Sequence, residues 1–298
     1  MQFLPPLTSD HRVMTREKPA GAHLPYTRHV DDVTIETRDG LLMQVIKING
    51  LLFETADTDE LNYRNGLREA MLRTIGSSRF AIYHHVVRRP VDVLLDGQFP
   101  DAFSRLLDER WRARLGSRQM FVNELYLTVV RRPLQGRIGL AGRLKGLIAR
   151  SVVDRTAAFA TEKRALDTAC DALIASLGNY GPRLLSVYEA DGSHFSDLLE
   201  FLSHLYNGQQ HPVGLPYGDL GDHLPVRRVS FGQEAFELGR TGAHQSTFGA
   251  IISLKDYPSY SLPGMFDQLY RMPFDLTVTQ SFAFVERGAA LGSMNLAL

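Results

Sequence analysis

A five-residue segment, Val-Val-Arg-Arg-Pro, occurs twice in this chain, at Val86–Pro90 and again at Val129–Pro133. Each copy closes a run rich in β-branched and aromatic residues, Phe80 to Val87 and Phe121 to Val130, which is the composition of a strand. Each run also follows a segment of helical periodicity. Before the first, Tyr63, Leu67, Met71 and Ile75 recur every fourth position and line one face. Asp57 or Thr58 supplies an N-cap there, Glu60 completes a capping box, and Gly76 stands at the end. Before the second, Pro100 to Leu115 places Phe103, Leu107, Trp111 and Leu115 on one side. Two readings stand open. The echo is either two unrelated strand ends, each closed by charge and proline, or a duplicated helix–strand unit packed in one sheet.

The flanking sequence adds hairpins to this alternation. Val33 and Ile35 alternate with polar residues, Asp39-Gly40 marks a tight turn, and Leu41 to Ile48 returns as a strand. A long helix is expected from Asp154 to Leu177, with Phe159, Leu166, Cys170, Leu173 and Leu177 on one face and Gly178 as terminator. Leu184 to Tyr188 reads as a short strand. Ser193 is expected to cap a helix that turns Phe195, Leu198, Leu202 and Leu205 inward and ends at Gly208. Residues 208–225, rich in Gly and Pro, read as an extended loop. Arg228 to Phe231 and Ala235 to Leu238 form a hairpin, Thr247 to Leu254 a strand, Pro263 opens a helix holding Met265, Phe266, Leu269 and Tyr270, and Phe274 to Phe284 is a final strand. Interleaved helices and hairpins predict an α+β fold with mixed or antiparallel sheets, rather than a doubly wound parallel one. The expected organisation is a flexible leader over 1–25, a first α+β subdomain over 26–133, a basic glycine-containing linker over 134–153, and a second α+β subdomain over 154–298.

Composition narrows the function classes. Hydrophobic residues make up 44% and charged residues 22%, enough for a packed core in a chain of 298 residues. Lys+Arg and Asp+Glu are both 33, so no overall basic surface for nucleic acid is indicated. The one cysteine, Cys170, excludes an internal disulfide and a multi-cysteine zinc site. Met1 to Ala20 lacks the apolar core of a signal peptide, and no uninterrupted apolar run is long enough to cross a bilayer. The sequence therefore reads as cytoplasmic, with any membrane contact peripheral.

A P-loop needs Gly-Lys followed by Ser or Thr, because backbone amides cradle the phosphates while the lysine neutralises them. No Gly-Lys dipeptide occurs in this sequence, and Gly239-Arg240-Thr241-Gly242-Ala243 reads as a turn. No His-Glu-x-x-His pair and no Gly-x-Ser-x-Gly elbow is present; His84 and His85 are adjacent in a strand and point to opposite faces. Cys170 falls on the apolar face of its helix and reads as a core residue. No catalytic, cofactor-binding or metal-binding residue is assigned.

One basic stretch remains. Arg131, Arg132, Arg137, Arg143, Lys145 and Arg150, with Arg155 beyond them, occur with no acid between Glu124 and Asp154. Such a run could contact an anionic partner, with lipid head groups favoured over DNA because no aromatic side chains for base stacking are interleaved. The plain alternative is a solvated linker. A stand-alone nucleic-acid-handling module built on the 131–155 stretch is the alternative function from a different class.

The remaining motifs carry a resemblance. Ser253-Leu254-Lys255-Asp256-Tyr257-Pro258, Pro263-Gly264-Met265 and Thr277-Val278-Thr279-Gln280-Ser281-Phe282-Ala283-Phe284 come in this order near the C-terminus. Leu24-Pro25-Tyr26, Asp39-Gly40-Leu41, His84-x-x-Val87-Arg88-Arg89 and Tyr126-Leu127-Thr128-Val129-Val130 precede them. From about Pro25 to Phe284 the sequence resembles the N-terminal region of the type IV secretion and conjugative-transfer ATPases, the CagE/TrbE/VirB component family. The resemblance implies a cytoplasmic, inner-membrane-associated protein whose N-terminal region binds channel components and other subunits, while a RecA-like C-terminal domain binds ATP and magnesium and hydrolyses the nucleotide. The sequence ends at Leu298 without motor motifs, so the resemblance implies an excised domain or a truncated product, inactive alone. No nucleotide-contacting residue carries over. Self-association and docking are the expected roles.

Overall fold

The computed structural model describes residues 19–50, 57–92, 97–116, 119–132, 152–240, 246–254, 259–260 and 264–285. In chain order the elements are β1 (Tyr26–His29), β2 (Ile35–Thr37), β3 (Leu42–Ile48), α1 (Thr58–Thr74), β4 (Phe80–Val91), α2 (Ala102–Gly116), β5 (Met120–Arg131), α3 (Val152–Ser176), β6 (Arg183–Leu184), β7 (Val187–Ala190), β8 (Ser193–Ser196), α4 (Asp197–Asn207), α5 (Leu220–His223), β9 (Val229–Phe231), β10 (Phe236–Leu238), β11 (Thr247–Gly249) and β12 (Leu276–Ala283). Every strand pairing is antiparallel among the described residues, which bears out the α+β class. The elements group into two compact units, each made from separate stretches of chain. Unit 1 comprises the described residues up to Gly40 together with Ser186–Ser253. Unit 2 comprises Leu41–Leu185 and the described residues from Leu254 onward.

In unit 2 the strands run β3, β5, β4, β12, with β6 pairing with β3. The first Val-Val-Arg-Arg-Pro copy lies on β4, and the second begins on the neighbouring strand β5, through Arg131. Because these are antiparallel, the copies end at opposite ends of the ladder: Pro90 lies opposite Phe121, and Arg131 opposite Phe80. The first strand runs past its expected end at Val87 to Val91. The basic pair does not stop it, since β5 supplies ladder partners all the way to Met120. Pro90 falls where the β12 ladder has already ended, at Arg88, a position where a missing donor is tolerated.

Alternation gives this sheet two faces. One receives α3, whose Leu166, Cys170 and Leu173 are wholly buried. Leu42, Ile46 and Val129 come up beneath it, and Gln44 donates to Asp167 of the helix at 2.7 Å. Cys170 is thus a core residue, as its helical phase predicts, and burial pushes its thiol pKa far up. Helix α1 is capped as expected: the Asp57 side chain accepts from the Glu60 amide at 2.8 Å. Its apolar stripe is buried only at the C-terminal end. Met71 and Ile75 are buried, while Tyr63 and Leu67 are exposed.

In unit 1, β1 pairs with β2, and β7 with β8. The turn after β2 closes through the Gly40 amide, which donates to the Thr37 carbonyl at 2.9 Å. Gly40 sits at φ 73°, a conformation that favours glycine. The helix expected to be capped by Ser193 starts later. Ser193–Ser196 is the strand β8, and the Ser196 hydroxyl accepts from the Leu199 amide. The serine nearer the apolar periodicity wins the cap because Ser193 is taken into the pairing with Ala190. Leu198, Leu199, Phe201 and Leu202 are buried, and Gly208 ends the helix in a left-handed conformation, as read from the sequence.

Three further expectations change. The strand expected over Leu184–Tyr188 is split, because Leu185 turns aside to donate its amide to Val45. The 208–225 loop contains the single turn α5, capped by Asp219. The strand from Thr247 shortens to β11, and the helix expected after Pro263 is a run of turns ending in the 3-10 segment Leu269–Arg271. There the backbone carbonyls of Tyr270 and Met272 are occupied by side-chain donors, Asn123 and Arg88, rather than by a continuing helix.

Candidate functional site

The chemistry that the sequence places on the sheet of unit 2 turns inward. On the face opposite α3, Glu124 of β5 accepts from Lys47 at 2.8 Å, from Arg89 through two bonds of 3.0 Å, and from the Tyr126 hydroxyl at 3.0 Å. The register makes this inevitable. Lys47 lies opposite Tyr126 and Val87 opposite Glu124, so residues two apart on adjacent strands converge. Burial raises the Glu124 carboxyl pKa, but the hydrogen bonds from Arg89 and Lys47 outweigh it and leave the group at about 2. Burial, reinforced by the neighbouring carboxylate, pushes the Tyr126 phenol up. The carboxylate is saturated with donors and has no reacting proton to exchange near neutrality; this cluster is a strut.

The adjacent histidines part as alternation requires. On the Glu124 face, His85 places one ring nitrogen 3.0 Å from the Thr279 hydroxyl and the other 3.1 Å from that of Thr128. Burial holds its pKa down at about 4, so the ring is neutral at pH 7 and stitches β12 to β4 and β5. On the α3 face, His84 is also pushed down, chiefly by burial and against its hydrogen bond to Gln280. Thus the Thr279 and Gln280 of the C-terminal motif act as histidine partners. No group of His, Cys, Asp and Glu able to hold a metal ion occurs among the described residues.

The basic stretch falls in two parts. Arg131 is buried, donates to Glu162 of α3 at 2.8 Å and stacks its guanidinium over the Phe80 ring at 4.5 Å. Glu162 also pairs with Arg79. Arg132 is exposed, and its amide is held by the Arg79 carbonyl. Arg137, Arg143, Lys145 and Arg150 lie outside the described residues, as do Lys255 to Pro258 and Pro263 of the C-terminal motifs.

Each unit also leaves large apolar side chains exposed. In unit 1, β10 runs between β9 and β11. The Phe236 ring lies over Gly249, where any Cβ would collide with it. Phe231 and Phe248 stand out to solvent, at 78% and 73% exposure, and Ile251 and Ile252, just beyond β11, reach 81% and 94%. The sequence reading took these residues as strand positions and assigned them no role. The available signal was brevity: three-residue strands give each aromatic side chain few neighbours to pack against.

In unit 2, helix α2 is the counterpart. Its stripe of Phe103, Leu107 and Trp111 forms as the periodicity predicts, yet none of the helix's residues is buried. Ser104, Asp108, Arg112 and Leu115 are the less exposed ones, so Leu115, expected in the same stripe, falls outside its exposed part. Asp108 and Arg112 are ion-paired at 2.6 Å and, with Arg105 and Glu109, line a recess against Gly97, Gln98 and Phe99. The helix therefore turns its polar stripe toward the body and its apolar stripe outward.

Residues 33–138 match the family profile described as type IV secretion system ATPase VirB4/TrbE, N-terminal domain. Residues 183–296 match that described as the CagE, TrbE, VirB family, component of type IV transporter system. The chain belongs to this CagE/TrbE/VirB family. The family regions cover the elements from β2 to β5 and those from β6 to β12, while α3 lies between them. The type IV secretion system protein virB4 of Bartonella henselae is 31% identical over 280 residues, covering 93% of this chain and 35% of that protein. The virB4 protein of Agrobacterium tumefaciens is 29% identical over 283 residues, 95% of this chain and 35% of its own length. The PtlC protein of Bordetella pertussis is 26% identical over 284 residues, 94% and 34% respectively. The chain thus spans about a third of the length of the curated relatives it matches. No described helix of this family member is long and apolar enough to cross a membrane.

Proposed function

We propose that this chain is the docking and oligomerisation region of a type IV secretion ATPase, and that ATP hydrolysis with magnesium belongs to sequence outside it. Its partners are inner-membrane and channel components of the secretion system and further copies of itself, met at the cytoplasmic face of the inner membrane. The supporting observation is the apolar side chains exposed at β9–β11 and just beyond, Phe231, Phe248, Ile251 and Ile252, since exposed apolar surface of this kind marks a protein contact. The family match supplies the system, and the absence of any Gly-Lys dipeptide supplies the division of labour. Aromatic side chains carry most of the binding energy at such contacts, so Phe231 on the Phe236 face of the sheet and Phe248 on the Glu237 face are the anchors.

The test is co-purification of the chain with the inner-membrane components of its own secretion system, beside sedimentation of the chain alone. Phe231→Ser with Phe248→Ser is expected to abolish the association while the thermal midpoint stays in place. Magnesium-dependent ATP turnover by the purified chain would overturn the reading. So would a chain that stays monomeric and captures none of those components.

A further inference from the structure

We propose that α2 is a membrane-surface helix, which lays the Phe103–Leu107–Trp111 stripe into the interface of an anionic bilayer. This adds a direct lipid contact to the protein contacts proposed above and stands whether or not those hold.

Three observations carry it. The first is the inversion of the helix. A surface helix ordinarily buries its apolar stripe and solvates the polar one. Here Phe103 is 75% exposed and Trp111 54%, with Leu106 and Leu107 exposed between them. The polar side is satisfied within the helix itself: Asp108 is ion-paired to Arg112 one turn on, and the Asp101 carboxylate caps the helix by accepting from the Ser104 amide at 2.7 Å. The apolar side is left to the solvent.

The second is charge. Arg110 lies three positions from Leu107 and seven from Phe103, and Arg114 lies three from Trp111 and seven from Leu107; both are exposed on the apolar side. The acids of the helix, Asp108 and Glu109, line the recess. The outward face thus combines aromatic and leucine side chains with cations, and Glu109, three positions from Leu106, stands at its edge. An anionic lipid interface complements that combination, because arginine stems lie along the acyl boundary while their guanidinium groups reach the phosphates.

The third is isolation. The stripe belongs to one helix, none of whose residues is buried, and an apolar stripe on a single exposed helix suits a soft interface about as deep as one side chain.

Trp111 is the single tryptophan of the chain, so its fluorescence reports on this helix alone. Vesicles of phosphatidylglycerol and phosphatidylethanolamine are added to the 298-residue chain. The emission is expected to shift to shorter wavelength and to be quenched by bromine on the acyl chains, with both effects weakened by added salt. Leu107→Ser should reduce partitioning about tenfold, since burying a leucine contributes roughly 1.5–3 kcal/mol and about 1.4 kcal/mol is a factor of ten. Its thermal midpoint should stay unchanged. Arg110→Glu with Arg114→Glu, which leaves every apolar side chain in place, should abolish the preference for anionic over neutral vesicles. Unchanged Trp111 emission at saturating lipid overturns the proposal. So does equal binding to phosphatidylcholine, and so does a blue shift that grows with protein concentration in the absence of lipid, which would assign the stripe to a second copy of the chain.

Discussion

Helices α2 and α3 belong to the same unit and both carry an apolar stripe at helical spacing, yet they use it in opposite ways. In α3 the stripe goes down onto the sheet: Leu166, Cys170 and Leu173 are inaccessible, and the flanking polar residues Glu162 and Asp167 reach Arg131 and Gln44 on the strands. In α2 the polar stripe goes down and the apolar one is left outside. Periodicity establishes that a stripe exists; it says nothing about whether a sheet face is available to receive it. The α3 side of the sheet offers Leu42, Ile46 and Val129. The loop next to α2 offers Gly97, Gln98 and Phe99, and the charges that line the recess there are α2's own.

The contrast makes graded predictions. Leu166→Ala should cost about 2–5 kcal/mol, read from denaturant midpoints, because it opens a cavity in packed core. A loss comparable to that of an exposed leucine would mean that α3 is held no more tightly than α2. Glu124→Gln should cost about 1–3 kcal/mol by leaving Lys47 and Arg89 without their shared carboxylate. The double change with Lys47→Met should recover part of it, and strict additivity would show that the strut is not a unit. Acid should act on the same face. His85 is held neutral, with its pKa down at about 4 against an ordinary value near 6.5. Between those values the unfolded chain takes up a proton that the folded chain refuses. This contribution is therefore fully present above about pH 6.5 and is lost as pH falls toward 4, at up to about 1.4 kcal/mol per pH unit. Glu124, held at about 2, adds a loss in the same direction below the ordinary carboxylate range. His85→Gln should flatten the fall between pH 6 and 4 in a thermal-shift series. The smallest effect belongs to α2: Phe103→Ser or Leu107→Ser should move stability by no more than about 0.5 kcal/mol, since neither side chain is buried. A larger loss would mean that the stripe is covered in solution.

Much of the scaffold was legible because local chemistry and tertiary context agreed. Asp57 and Glu60 start α1, and Gly208 ends α4. Failures came where a distant partner outbid a local signal. Ser193 lost its cap to the pairing with Ala190, and from Gly264 to Arg271 turns and a 3-10 segment stand where a helix was expected, with Asn123 and Arg88 taking the Tyr270 and Met272 carbonyls. Arg131 shows the limit for site prediction. In sequence it heads a basic run; in space it faces Glu162 and Phe80, and nothing in its neighbours announces either. The display of α2 was invisible for the same reason, because exposure depends on what stands opposite.

The interleaving of the two units carries a consequence for synthesis. The ring of His85 waits for a threonine that leaves the ribosome 194 residues later, and unit 1 must hold its first stretch open until the chain has passed Ser253. Neither unit can therefore be completed while its own beginning is still fresh from the exit tunnel. A nascent chain stalled halfway would expose Val45 and Val87, residues that the finished protein hides completely or almost so. Translation speed and chaperone supply should thus govern the yield of this polypeptide more than its final stability does.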